Sequence, residues 1–181
     1  DPLKEEAPVV VDKLHKLGFS KIVMMTGDNR RTANMVAEKL GLDEVYSEVM
    51  PEDKAAFIRR EHEAGRKVIM IGDGVNDTPA LSEADVGIAI SEGAAIAREV
   101  ADVTIGTNDL HALITLRVLS ELLMKRIHYN YRFIMGFNSG LIALGVLGVL
   151  QPATSALLHN MSTIGISLKS MTSLLEEDKD I

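Results

Sequence analysis

Apolar side chains recur at helical spacing over residues 5–17, and Gly18 follows where such a helix would end. Residues 21–25 are β-branched and apolar, which predicts a strand, and Thr26-Gly27-Asp28-Asn29 is a polar loop behind it. Helical spacing returns over residues 30–40, with Gly41 as its stop. A weak strand at 45–47 precedes a helix at 51–64 that opens with Pro51 and acidic residues, as helix starts favour. Residues 67–71 then predict a short buried strand, 78–83 a short helix, 86–90 a strand, 93–100 a helix and 103–105 a strand. This alternation predicts an α/β fold, a mostly parallel Rossmann-like sheet with covering helices.

The pattern changes after residue 108. Residues 110–131 predict a long helix carrying Arg117, Lys125, Arg126 and His128, followed by Arg132, and residues 133–168 then contain no Asp, Glu, Lys or Arg, with His159 the sole titratable side chain. A bilayer core takes about 20 apolar residues per helix, and residues 133–150 and 152–175 supply two such lengths around Gln151-Pro152. We expect a stalk helix over 109–132 and a two-helix transmembrane hairpin over 133–175, its Gly140, Gly145 and Gly148 serving helix packing. Basic residues at the start of the first span put residues 1–132 and the tail 176–181 on the cytoplasmic side of a cell membrane. A buried helical hairpin in a soluble protein is the competing explanation.

Composition adds exclusions. The 181 residues are 46% hydrophobic, enough for a core, and contain no cysteine, so neither disulfides nor thiolate metal sites occur. A net charge of -7 argues against nucleic acid as a partner. The sequence starts at Asp1 with no signal peptide, and together with the uncharged segment this is read as part of a longer membrane protein.

The most informative stretch is Met70 to Pro79, Met-Ile-Gly-Asp-Gly-Val-Asn-Asp-Thr-Pro. It follows a predicted strand, at the carboxyl end where open α/β sheets bind ligands. Gly72 and Gly74 flank Asp73 and permit close backbone approach, while Asn76 and Asp77 are placed to cap the helix at Thr78. Such a loop suits Mg²⁺, which takes one or two carboxylates plus water and phosphate oxygens. A plain strand-to-helix turn is the alternative.

Thr26-Gly27-Asp28, Lys54 within Met50-Pro51-Glu52-Asp53-Lys54, and Gly72 to Asp77 together closely resemble the phosphorylation domain of P-type ATPases, of the haloacid-dehalogenase superfamily. Asp1-Pro2-Leu3-Lys4 is similar to the segment that opens the later half of that domain, and the resemblance extends over residues 1–175. It implies that Thr26 and Gly27 hold phosphoryl oxygens, Asp28 lies near the nucleotide, and Lys54 neutralises an aspartyl phosphate. It further implies that Asp73 binds Mg²⁺, Asn76 bonds the phosphoryl group, and Asp77 supports the loop and the metal. ATP is then the substrate. The Asp-Lys-Thr-Gly-Thr nucleophile motif of such pumps does not occur in this sequence, so the nucleophile is expected upstream, in an N-terminal part of the same pump.

Two membrane helices and then a charged tail resemble the heavy-metal class of these pumps. The positions matching its transport site are Asn138, His159, Ser162 and Thr163; His159 to Thr163 is similar to a His-Glu-Gly-x-Thr stretch but departs at Asn160 and Met161. Imidazole suits several transition metals, and polar groups inside a membrane are usually functional. The expected cargo is a heavy-metal cation, cadmium, zinc, cobalt or manganese. A helix-to-helix hydrogen bond is the competing role for His159, and bonding back to the helix that for both hydroxyls. A membrane-anchored phosphatase of the same superfamily and a nucleophile-free regulatory module are the rival functions.

Overall fold

The computed structural model describes residues 4–72, 75–90, 99–106 and 109–175. It divides into two units, residues 1–114 and 115–181.

In the first unit, β1 (Val23–Met25) pairs with β2 (Glu44–Tyr46), and β3 (Ile69–Gly72), β4 (Val86–Ile90) and β5 (Val103–Ile105) form a second sheet in that order. All these pairings are parallel, as the alternating pattern predicts. The helices are α1 (Ala7–Lys16), α2 (Arg30–Leu40), α3 (Pro51–Glu63) and α4 (Thr78–Glu83). Gly18 at φ 94 and Gly41 at φ 67 stand in the left-handed region just after α1 and α2, which explains their placement. The helix expected at 93–100 lies largely outside the described residues.

The core is small-residue rich. Ala33 and Ala37 of α2, Ala55 and Ile58 of α3, Ala80 and Leu81 of α4, and Ile88 to Ile90 of β4 are buried. β4, between two strands, is the most deeply covered. The expectation of a buried strand at 67–71 needs correction: Ile69 and Ile71 are 41% and 40% exposed, because β3 is an edge strand whose only partner among the described residues is β4. Among the described residues β1 likewise pairs only with β2.

Each parallel pairing is closed by the same device. The residue immediately before the later strand is an aspartate, and its carboxylate accepts an N–H from the earlier strand directly across the ladder. The Ile22 N–H donates to Asp43 at 2.6 Å, Val68 to Asp85 at 2.8 Å and Gly87 to Asp102 at 2.8 Å. A one-residue slip would forfeit these bonds and turn buried faces outward. Asp85 also takes Lys67 at 2.7 Å and His62 at 2.8 Å, and the Lys67 ammonium, with the Val68 N–H, holds its carboxyl well below the usual carboxylate range. A depressed folded pKa stabilises the protein above the unfolded value of about 3.9 and is lost as pH falls through the folded one. Asp85→Asn is therefore expected to destabilise the chain at pH 7 and to flatten its acid limb, the two proteins converging in strong acid. Denaturant melts across pH check this; parallel pH profiles would contradict it.

α3 is anchored at both ends. Glu61, 9% exposed, receives Arg66 and Lys21, and the Arg66 guanidinium is the main cause of its lowered pKa. Lys21 also pairs with Glu44 at 2.9 Å, which raises the lysine's pKa, and Glu44 in turn raises that of Tyr46 by accepting its hydroxyl. The Tyr46 and Phe57 rings meet at 5.2 Å between centroids. At the first turn, the Met50 N–H donates to Asp53 at 3.1 Å. Lys54 is thus carried on a helix tied to β2 through Phe57 and Tyr46 and to Lys21 and Arg66 through Glu61.

In the second unit, the expected stalk and first span form one unbroken helix, α5 (His111–Val146), which begins in the first unit; α6 (Pro152–Ser170) follows. α5 ends earlier than expected because Gly148, at φ 71, turns the chain and lets the Val149 and Leu150 N–H groups bond the Leu144 carbonyl. Among the described residues, no helix is long and apolar enough to cross a membrane. Leu147 to Leu150 fall in the turn, and α6 carries His159, Asn160 and Lys169, so the apolar run in the sequence is not matched by an equally long apolar helix. The two helices are joined at the far end from this turn by Arg126. Its guanidinium donates to the carbonyls of Ser170, Thr172 and Ser173 at 3.1, 2.7 and 3.0 Å.

Candidate active site

The loops after β1 and β2 are zipped together. The Thr26 N–H donates to the Tyr46 carbonyl, Val49 to Thr26 and Glu48 to Asp28, each at 3.0 Å. Glu48 reaches its partner from φ 56, the one left-handed non-glycine among the described residues, a conformation that L residues adopt at a cost. The Asp28 N–H donates to the Thr26 hydroxyl oxygen at 3.1 Å. That oxygen is therefore an acceptor, and its own proton is left to give to an anion. Gly27 is exposed, and a Cβ built on it would meet nothing within 4 Å, so the loop has open space above it. Asn29 caps α2 by accepting the Thr32 N–H at 3.0 Å, which fixes the loop's far end.

The segment zipped to Thr26 runs straight into α3, whose fourth residue is Lys54. Its ammonium donates to Asp77 Oδ1 at 2.7 Å, with side-chain exposures of 15% and 11%. Asp77 ends a 3-10 turn, Val75–Asp77, that follows the end of β3. Gly72 is required here: a Cβ on it would lie 2.7 Å from Asp77 Cβ and 2.8 Å from Oδ2. The carboxylate is thus wedged between Gly72 and Lys54. The expected capping of the next helix does not occur, since Asp77 has helical backbone angles and no capping bond to α4. Asn76 is exposed on the same turn, while Asp73 and Gly74 lie outside the described residues. With Oδ1 on an ammonium and Oδ2 against a strand end, Asp77 fits the supporting role better than that of a direct Mg²⁺ ligand. Among the described residues no three His, Asp or Glu gather as a metal cage.

In the helical pair, His159 Nδ1 is 2.9 Å from Asn138 Oδ1. An amide oxygen only accepts, so Nδ1 is the donor in this bond. The Ser162 and Thr163 hydroxyls donate to the His159 carbonyl at 2.8 and 3.1 Å, bonding back to their own helix. The first two residues are thus brought together across the helices, and the other two are turned to the backbone.

Two features escaped the sequence reading. The Lys54–Asp77 pairing joins residues read separately, one as a phosphate partner and one as a loop support; their shared opposite charge was the available signal. Glu48 gave none, because a left-handed glutamate has no signature of its own.

Residues 1–85 and 57–116 each match a haloacid dehalogenase-like hydrolase family. Copper-transporting ATPase 2 of Rhizobium meliloti is 48% identical over 158 residues, 87% of this chain and 19% of that protein. The manganese-exporting P-type ATPase of Mycobacterium tuberculosis is 42% identical over 171 residues, 94% of this chain and 24% of that one. The chain therefore spans about a fifth to a quarter of the length of these curated relatives. A crystal structure of a zinc-transporting PIB-type ATPase in its E2.Pi state superposes with a TM-score of 0.88 at 30% identity, over 94% of this chain and 28% of that one. Residues 1–116 belong to the haloacid dehalogenase-like hydrolases, in the form carried by heavy-metal P-type ATPases, which are the chain's homologues.

Proposed function

We propose that this chain is the C-terminal portion of an ATP-driven heavy-metal pump that cycles through an aspartyl phosphate. Residues 1–108 are the later part of its phosphorylation domain, 109–132 its stalk, 133–175 a membrane hairpin and 176–181 a cytoplasmic tail. The observation that carries the reading is the Lys54–Asp77 pair wedged against Gly72 at the end of a parallel strand. It holds a compact cation beside the loop where phosphoryl charge would accumulate, and phosphoryl transfer asks mainly for such positioning and charge stabilisation.

In the reaction, an upstream aspartate oxygen forms a bond to the γ-phosphorus of ATP as the bond to ADP breaks; water later cleaves the acyl phosphate. Lys54 neutralises the phosphoryl oxygens, the Thr26 hydroxyl and Gly27 N–H donate to them, Asn76 bonds one of them, and Asp28 faces the nucleotide. Mg²⁺ held by Asp73 would supply charge neutralisation across the phosphate oxygens. Among the described residues β1 and β3 each have an edge with no partner strand, and with half-exposed Ile69 and Ile71 this suits a chain whose remaining strand comes from the upstream part.

The bilayer reading rests on the absence of acidic and basic residues over 133–168 and on large exposed apolar side chains such as Ile142, Leu157 and Ile164. Asn138, His159, Ser162 and Thr163 are among the polar groups that keep these helices from being apolar throughout, and a multi-helix pump turns such groups inward. His159, whose Nδ1 faces Asn138, is the first choice of metal ligand through Nε2, with Ser162 and Thr163 beside it. The relatives are named for copper, manganese and zinc at similar identity, so this segment alone does not separate the metals; we assign a divalent cation, cadmium, zinc, cobalt or manganese.

Labelled ATP with Mg²⁺ tests the reading. The chain alone is expected to take no acid-stable label, whereas the same residues joined to the upstream part of the gene take a hydroxylamine-sensitive one. Label on the chain alone, or none on the joined protein, would overturn it.

A further inference from the structure

The zip between the loops after β1 and β2 does not simply continue the ladder it follows. The two strands run in parallel register with Met25 opposite Tyr46, so Thr26 falls opposite Ser47. In a regular parallel ladder Thr26 would donate its N–H to Tyr46 and accept one from Glu48, the residues on either side of its opposite number. The first bond is made, at 3.0 Å. The second is displaced by one residue: the Thr26 carbonyl accepts the Val49 N–H, and the Glu48 N–H, released, reaches the Asp28 carbonyl, both at 3.0 Å. Glu48 is thus the extra residue of a bulge, and its φ of 56 is what accommodates it.

Asp28 is held from both sides in consequence. Its N–H donates to the Thr26 hydroxyl oxygen at 3.1 Å and its carbonyl accepts from Glu48, so the turn Thr26-Gly27-Asp28 is closed on itself and tied to the neighbouring segment. That segment enters α3 at Pro51 and so leads to Lys54. Left-handed strain in a residue other than glycine persists only where its surroundings over-determine it, and such residues gather at functional sites. The Glu48 side chain is exposed, so the fold uses its backbone.

We propose that Glu48 is a positioning residue for phosphoryl transfer, its left-handed backbone setting the separation between Thr26-Gly27-Asp28 and Lys54. The proposal rests on the pump reading given above, in which these two elements hold the transferred group. An unbulged ladder would return the Glu48 N–H to Thr26, release the Asp28 carbonyl and move the segment leading to Lys54 by up to one residue's rise, about 3.3 Å.

The test uses the protein joined to its upstream part, with labelling by ATP measured per folded molecule at saturating Mg²⁺ and ATP. Glu48→Pro has no N–H and a φ fixed at about −65°, so it can form neither the bond to Asp28 nor the left-handed turn. It should slow labelling at least about tenfold, since a misplacement of an ångström costs on the order of 10²-fold. Glu48→Val keeps the N–H but is ill at ease at positive φ, and should fall between the proline variant and the unmodified protein. Glu48→Gly adopts the conformation without strain, so it should keep the labelling rate and unfold at no lower denaturant concentration. A normal rate in folded Glu48→Pro or Glu48→Val overturns the positioning role. A slow rate in folded Glu48→Gly overturns it as well, by making the carboxylate rather than the backbone the group that matters. Should the proline variant not fold, the valine and glycine variants decide between these outcomes. An unmodified joined protein that takes no label overturns the pump reading itself, and the role of Glu48 with it.

Discussion

Lys54→Met, made in the protein joined to its upstream part, should slow acid-stable labelling by ATP on the order of 10²- to 10³-fold. Methionine keeps the length and apolar body of the side chain and removes the ammonium that the structure holds against Asp77. Two costs follow and are separable. The first is chemical, because charge developing on the transferred phosphoryl group loses its fixed counterion. The second is structural: Asp77, 11% exposed, is left without its partner, and a stranded buried carboxylate costs up to about 3 kcal/mol. Denaturant melts measure the second, and labelling rates per folded molecule at saturating Mg²⁺ and ATP measure the first. A normal labelling rate in the folded variant would remove Lys54 from the reaction.

Gly72→Ala should be nearly as damaging although it adds a single methyl group. Its Cβ would come within 2.7 Å of Asp77 Cβ and 2.9 Å of Cγ, which belong to the root of a short side chain and have nowhere to swing. Either the end of β3 or the turn at Val75–Asp77 gives way, and the 2.7 Å bond to Lys54 goes with it. We expect about 1–3 kcal/mol of lost stability from overpacking. A displacement of an ångström at the site adds on the order of 10²-fold in labelling rate. Gly87→Ala is the matched control. Its Cβ would meet the Leu81 carbonyl oxygen at 2.7 Å, so it should destabilise comparably by parting α4 from β4, yet leave labelling per folded molecule unchanged. If both variants label normally once folded, the wedge at Gly72 has no bearing on chemistry.

Most of the fold was legible because the hydrophobic period switches cleanly between strand and helix and because Gly18 and Gly41 mark helix ends. What was not legible depends on partners distant in sequence. Ile69 and Ile71 look like interior strand residues by composition, but their exposure is decided by which strand lies beside β3. The helix expected to be capped by Asn76 or Asp77 lacks that cap because Asp77 has a stronger, charged partner 23 residues away in Lys54. The apolar run at 133–150 read as a single span, whereas Gly148 breaks it, and a left-handed glycine is visible only in the backbone. The reading of Arg126 as one more basic stalk residue missed its partners, which lie 44 to 47 positions later and are carbonyls, groups every residue possesses.

That arginine changes how the helical pair can deform. A hairpin joined only at its turn is a pair of tongs: the free ends splay at little cost, and a push on one arm is absorbed by the hinge. With the guanidinium gripping the carbonyls of Ser170, Thr172 and Ser173 at and just past the end of α6, the turn at one end and the grip at the other close the two arms into a frame. A frame resists splaying and transmits torque, so a rotation applied to α5 carries α6 with it as a single lever. Compliance is then concentrated in the short run around Gly148, the far corner from Arg126.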